Sequence, residues 1–251
     1  MTTNRSYQPC FATVPDSWLG RWGLLREFTR RWHGLSLRPP GRYSSRVERE
    51  QSKLGIVLPP SFQEWLAFAD ELLAQDAFEI LRDCYEITRI EEQGATSLLL
   101  QGEGDVYWAI RDENLTDSDP PVDTYCLDYE SGDEDRFSLC GTEWPHITTF
   151  IFGHMAHFLD GKGGGCFVRV EATDDFLNEM HKAFPVNSCF DTIHIFEKQD
   201  LIVLILPTEY DPEKYHMLVE VFRPIPMSDI PNCVLVRTNN GGAFHGMFAS
   251  E

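Results

Sequence analysis

The chain has 251 residues, is 42% hydrophobic and 12% aromatic, and carries a formal net charge of −19 at pH 7. This is enough apolar material for one large or two smaller folded domains, and it excludes a disordered chain. No apolar run reaches the roughly 18–20 residues of a membrane helix, and the acidic field repels nucleic acid while favouring basic proteins.

Residues 1–15 read as a flexible leader, and they lack the basic-then-apolar pattern of a signal peptide. A cytoplasmic setting is therefore expected. "PDSWLGRWGLLREFTRRWHG" has helical spacing, with Asp16 or Ser17 to cap it and Gly34 to end it. Trp18, Trp22, Leu25 and Trp32 share one face, suited to packing or to lining a groove; Arg26, Glu27, Arg30 and Arg31 lie away from it. After the turn-rich "LRPPGRYSS", a second helix includes "SRVEREQSKLG", with Val47 and Leu54 on one face and Gly55 as the stop. A third follows Pro59 and Pro60, where Ser61 and Glu64 match a capping box and Phe62, Trp65, Leu66, Ala69, Leu72 and Leu73 form a core stripe.

The periodicity then changes. "FEIL", "CYEITRI", "SLLLQ" and "VYWAI" are short and rich in aliphatic and aromatic residues, with gaps too short for crossover helices. They predict antiparallel strands. "TYCLDYE" and "DRFSLC" predict a hairpin, and "TTFIFGHMAHFLDG" a helix. Beyond "DGKGGG" come the strand "CFVRV", the helix "TDDFLNEMHKAF" capped by Thr173 or Asp174, and the hairpin "IHIFEKQDLIVLILP" turning near Gln199 and Asp200. "HMLVEVF" reads as a strand, and "CVLVRTNNGGAFHGMF" as a final hairpin. The class is α+β, an antiparallel sheet with helices packed on one face.

Charge is unevenly placed. Residues 1–50 hold nine arginines against four acids, whereas residues 103–135 hold twelve acids and one base, Arg111. The acids are Glu103, Asp105, Asp112, Glu113, Asp117, Asp119, Asp123, Asp128, Glu130, Asp133, Glu134 and Asp135. Part of this stretch, "RDENLTDSDPPV", reads as a loop after an edge-facing strand. Three readings stay open for the cluster: a solvated face, an interface for a basic partner, or an acid–base or metal site. The last needs a few carboxylates separated in pKa by burial, and this composition is instead that of a hydrated loop. "DYESGDED" places its glycine one position early for a calcium loop, and Phe137 and Leu139 fall where ligands belong. His154 and His157 have a spacing that can hold a metal, but no third ligand is suggested and their apolar face favours core histidines. The seven cysteines lack a C-x-x-C pair and read as small buried hydrophobes in a reducing compartment. No nucleotide-binding, hydrolase or metalloprotease motif is present, so no cofactor, metal or catalytic residue is assigned.

Two strings in order, "SKLGIVLPPSFQEWLAFAD" and "VYWAIRDENLTDSDPPV", followed by the aromatic helix "ITTFIFGHMAHFL", resemble the SUKH superfamily of Smi/Knr-type proteins. The likeness covers roughly residues 45–160. Trp65, Trp108, Pro120 and Pro121 match the pattern, as core and turn residues. The resemblance implies a SUKH-like fold, a twisted antiparallel sheet with helices beside it, and function by binding without shared catalytic residues. Many bacterial members look like immunity proteins that neutralise polymorphic toxins, often nucleases; fungal members are regulatory scaffolds. The expected organisation is a leader over 1–15, a SUKH-like domain over 16–161 including the N-terminal helix, and an α+β extension over 162–251 that could belong to the same domain. The expected function is non-enzymatic capture of a basic toxin domain through the twelve acids named above. The alternative is a regulatory interaction module in a larger assembly with no toxin.

Overall fold

A computed structural model describes residues 8–41, 45–75, 87–100, 105–128, 137–158, 165–208, 211–221 and 229–238. Its contacts divide the chain into two units, one of residues 16–26 and 35–154, the other of residues 1–15, 27–34 and 155–251. Each carries an antiparallel sheet of five strands, so the last third builds its own sheet rather than extending the first. The class is α+β.

The helices of the first part of the chain are α1 (Trp18–Trp32), α2 (Ser45–Leu54) and α3 (Pro60–Leu73). The first sheet runs β1 (Arg89–Ile90), β2 (Ala95–Leu100), β3 (Val106–Arg111), β4 (Val122–Leu127) and β5 (Phe137–Trp144), side by side in chain order. α4 (Ile147–Phe158) follows. Of the expected strands, "FEIL" lies outside the described residues, as does most of "CYEITRI". β3 is the central strand, not an edge strand, as its buried Val106, Trp108, Ala109 and Ile110 require.

Alternation along β3 separates the two faces of the sheet. Trp108 packs on Phe150 and His154 of α4, at ring centroids 5.7 and 4.7 Å apart. From α3, the Trp65 indole N–H donates to the Leu98 carbonyl at 3.2 Å. On the opposite face Ala95, Ala109 and Tyr125 form a smaller core with Ile90, Tyr107 and Phe137 against it. The Gln93 amide donates to the Phe137 carbonyl at 2.9 Å, linking the β1–β2 turn to the far edge. The sheet is therefore curled rather than flat.

The capping box expected at α3 does not form. Pro59 is the N-cap and supplies no side-chain bond. Ser61 instead accepts the Trp22 indole N–H at 2.8 Å. Glu64 accepts from Arg26 at 2.8 Å and from the Gly41 amide at 2.8 Å. Both side chains are fully buried, so long-range donors outcompete the local backbone for them.

In the other unit, β6 (Gly165–Val170), α5 (Asp174–Ala183), β7 (Val186–Phe190), β8 (Ile193–Lys198), β9 (Leu201–Thr208), β10 (Asp211–Val221) and α6 (Asn232–Thr238) follow in sequence. The strand order is β6-β10-β9-β8-β7. Thr173 caps α5 by accepting the Phe176 amide. Phe176, Met180 and Phe184 pack with Phe196, Val203, Ile205, Met217 and Val219 of the sheet, and Ile230 and Val234 complete that core. The β8–β9 hairpin turns where expected, with Gln199 at φ 41°.

The expected final hairpin is not what forms at its first arm, because residues 232–238 are helical. Pro231 presets the first turn, and its carbonyl accepts the Val234 amide at 2.9 Å. Cys233 then meets Met180 of α5 at 3.5 Å. Packing here overrides the β-branched alternation of "CVLV". The turn "NNGG" and residues 244–246 lie outside the described residues. Residues 8–15, read as part of a flexible leader, are anchored. The amides of Cys10 and Phe11 donate to the two oxygens of the buried Glu197, each at 2.9 Å, and Phe11 is fully buried against Phe28.

Candidate partner-binding surface

The acidic stretch separates into carboxylates that hold the fold and carboxylates that face outward. Asp123 is buried on β4 and bonded to Arg111 of β3, so it serves the sheet rather than a surface. Asp112 is exposed but clamped by both nitrogens of the Arg89 fork, at 2.5 and 2.7 Å. Glu113 is exposed and lies 3.6 Å from Arg111. Asp117 is exposed, and Asp105 and Asp128 are half-buried. Glu103, Glu130, Asp133, Glu134 and Asp135 lie outside the described residues.

Asp119 is the organising member. One oxygen accepts the Thr148 amide at 3.1 Å and the other the Thr148 hydroxyl at 2.6 Å, so it caps α4 from a distant loop. The Ser61 hydroxyl donates to it as well, extending a chain that starts at the Trp22 indole. Burial pushes the Asp119 carboxyl above its ordinary range, and the bonds from Thr148 and Ser61 pull it partly back. The Ser61 amide donates to the Ser118 carbonyl at 3.0 Å and the Ile147 amide to the Pro120 carbonyl at 2.9 Å. The segment 117–121 is thus pinned to α3 and α4.

Beside this segment lies a cleft of about 430 Å³. Its lining takes Asp16, Trp18 and Arg21 from the entry into α1 and its first turn, and Asp117, Ser118 and Asp119 from the acidic segment. Pro121, Pro145 and His146 close it. Arg21 donates to His146 Nδ1 at 3.0 Å; a guanidinium is donor only, so Nδ1 is the acceptor. Trp22 and Trp32 are core residues, whereas Trp18 is half-exposed and lines this cleft. Trp18 has one of the two roles its helical spacing allows, while Asp16 and Arg21 carry no local signal that ties them to a loop about a hundred positions away.

The histidines and thiols that bear on the catalytic and metal readings are placed as follows. His154 is buried among Trp108, Trp144 and Phe150, and its Nδ1–H donates to the Phe150 carbonyl at 3.1 Å. The His157 side chain lies outside the described set. Among the described residues no three His, Cys, Asp or Glu side chains converge as metal ligands. Cys189 Sγ sits 3.5 Å from His194 Nδ1 across the β7–β8 pair. Burial raises the thiol and lowers the imidazole, so both stay neutral, the opposite of an activated thiolate. No helix among the described residues is long and apolar enough to cross a membrane.

The cysteines depart from the expectation of isolated thiols. Cys126 on β4 and Cys140 on β5 are joined as a disulfide, with Cα atoms 6.1 Å apart. A register shift pairs Thr124 with Gly141 and Tyr125 with Leu139, which leaves Cys140 as the extra residue of a bulge. Among the described residues, Cys10, Cys189 and Cys233 stand outside any disulfide. Comparison with protein-family models, curated proteins and solved structures finds no match for the chain.

Proposed function

We propose that this chain acts by binding, as a non-enzymatic immunity-type protein that captures a basic toxin domain, with a nuclease domain the best chemical fit. The carrying observation is a set of exposed carboxylates beside others fixed in the fold. Asp119 and Asp123 are built into the fold, and that framework holds Glu113, Asp117 and the mouth of the cleft toward solvent. A nuclease needs cationic surface to hold phosphates, and pre-placed carboxylates speed and select for such a surface. The resemblance of "LPPSF…W" and "WAI…DPPV" to SUKH proteins supports the same reading, including a SUKH-like fold for the first unit.

The test is to read the neighbouring gene and, where it encodes a basic toxin domain, to titrate that domain calorimetrically at rising salt. Binding should weaken steeply with ionic strength, because exposed charges are screened beyond ~8 Å at physiological salt. Glu113→Lys with Asp117→Lys should weaken it further at low salt. Unchanged affinity in both arms would remove the acidic surface from the interface.

A further inference from the structure

We propose that the cleft beside α1 seats an arginine side chain of the basic partner. The proposal rests on the binding reading above and names its anchor point. Three carboxylates, Asp16, Asp117 and Asp119, face one cation, Arg21, within the cleft. Arg21 is held by His146, and the oxygens of Asp119 are taken by Thr148 and Ser61. The exposed carboxylates of Asp16 and Asp117 have no side-chain partner among the described residues. The unanswered charge of the cleft lining is therefore negative.

An anion is the wrong ligand, although two helices start here. Ser17 accepts the Gly20 amide at 3.2 Å and Asp119 accepts the Thr148 amide, so both helix N-termini are capped from within. A guanidinium suits the walls better than an ammonium. It is planar, forks onto carboxylates and can stack on an indole such as Trp18, which belongs to the lining. The volume of about 430 Å³ lies near the small end of ligand sites, which run ~300–1,000 Å³. That is room for one long side chain. The acidic segment of the lining is also already positioned, since the carbonyls of Ser118 and Pro120 accept the Ser61 and Ile147 amides. Little affinity is lost to ordering it, as hot-spot pockets require.

The test uses the full chain and three probes, N-acetyl-arginine methylamide, its neutral citrulline isostere and the lysine analogue. They are titrated while the Trp18 indole N–H and the amides of 117–119 are followed by TROSY NMR. The arginine probe should give saturable shifts at these positions, the lysine probe weaker binding, and citrulline none. Asp16→Asn with Asp117→Asn should weaken the arginine probe about tenfold or more. Equal responses to arginine and citrulline, shifts elsewhere only, or indifference to the double substitution would overturn the proposal. The citrulline comparison needs no variant and so holds even if the substituted protein folds poorly. Should a basic nuclease domain bind the Asn variants as tightly as the parent in a salt-dependent way, the arginine cleft falls and the acidic-surface reading stands. A cleft that takes the arginine probe in a protein that ignores basic domains would sink the toxin reading and keep the cleft.

Discussion

Replacing Arg26 with Met should be among the most damaging single changes to the first unit. Arg26 is 4% exposed, Glu64 0% and Glu71 9%. The guanidinium donates to Glu64 at 2.8 Å, to both oxygens of Glu71 at 3.1 Å and to the Arg38 carbonyl at 3.0 Å, and lies 5.2 Å from the Phe68 ring centroid. Methionine preserves much of the stem's packing but leaves the buried Glu64 without its cation and Glu71 with Arg38 alone, at 3.3 Å, which costs about 3–5 kcal/mol. At roughly 2–4 °C per kcal/mol for a chain of this size, the melting midpoint falls by about 6–20 °C. The loss should depend on pH with a defined sign. Burial pushes the Glu64 carboxyl up and Arg26 holds it back, so without Arg26 it rises further. The folded variant then keeps a proton that the unfolded chain has released. Its deficit therefore shrinks as pH falls, by at most about 1.4 kcal/mol per pH unit for each such group. Calorimetric melts of parent and variant from pH 8 to pH 5 read both effects, and adding Glu64→Gln to the variant should recover part of the loss at pH 8. A shift below about 2 °C, or a deficit unchanged with pH, would refute the account of a buried, charge-balanced cluster.

Three further outcomes follow from other sites. Burial lowers the His33 imidazole to about 3, so the unfolded chain takes up a proton that the folded one refuses. Stability should fall with pH below ~6.5, by up to ~1.4 kcal/mol per unit, and His33→Leu should flatten that arm in urea titrations. Asp119→Ala strips the acceptor from the Thr148 amide, the Thr148 hydroxyl and Ser61; a loss of about 1–3 kcal/mol is expected, with faster amide exchange at the start of α4. A dithiol reductant should open the Cys126–Cys140 bridge; for a loop of about 15 residues this lowers stability by ~3 kcal/mol. Cys126→Ser should show the same loss and no further response to reductant, while peptide mapping of the parent should recover the joined pair.

Local pattern carried much of the architecture. The short apolar runs at 95–100, 106–111, 122–127 and 201–208 are strands because their length and β-branched or aromatic content fit a pleated surface. What escaped was set by partners distant in sequence. Ser61 and Glu64 have capping-box spacing, but Trp22 and Arg26 claim them from another helix. "CVLV" alternates like a strand, but Pro231 and the contact to Met180 make it a helix. β7 was not recognised, since Asn187 and Ser188 dilute its apolar signal. Among the acids, sequence alone ranks Asp117, Asp119 and Asp123 alike. Only the fold distinguishes the exposed one from the helix cap and from the buried partner of Arg111. The cysteine pair was hidden by a bulge that no spacing rule registers.

The Glu197 anchor has a consequence for the order in which the chain can acquire its structure. Its carboxylate meets the Cys10 amide across a separation of 187 residues. During synthesis at ~5–20 residues per second, the N-terminal segment waits on the order of 10–40 s before that acceptor exists. Phe11 and Phe28, buried together in the finished unit, emerge long before the sheet that supplies Glu197. The first unit, whose last strand ends at Trp144, can complete its sheet in that interval. Vectorial synthesis thus imposes a sequence of events on the polypeptide: the acidic cleft is assembled early, and the segment preceding it is fastened last.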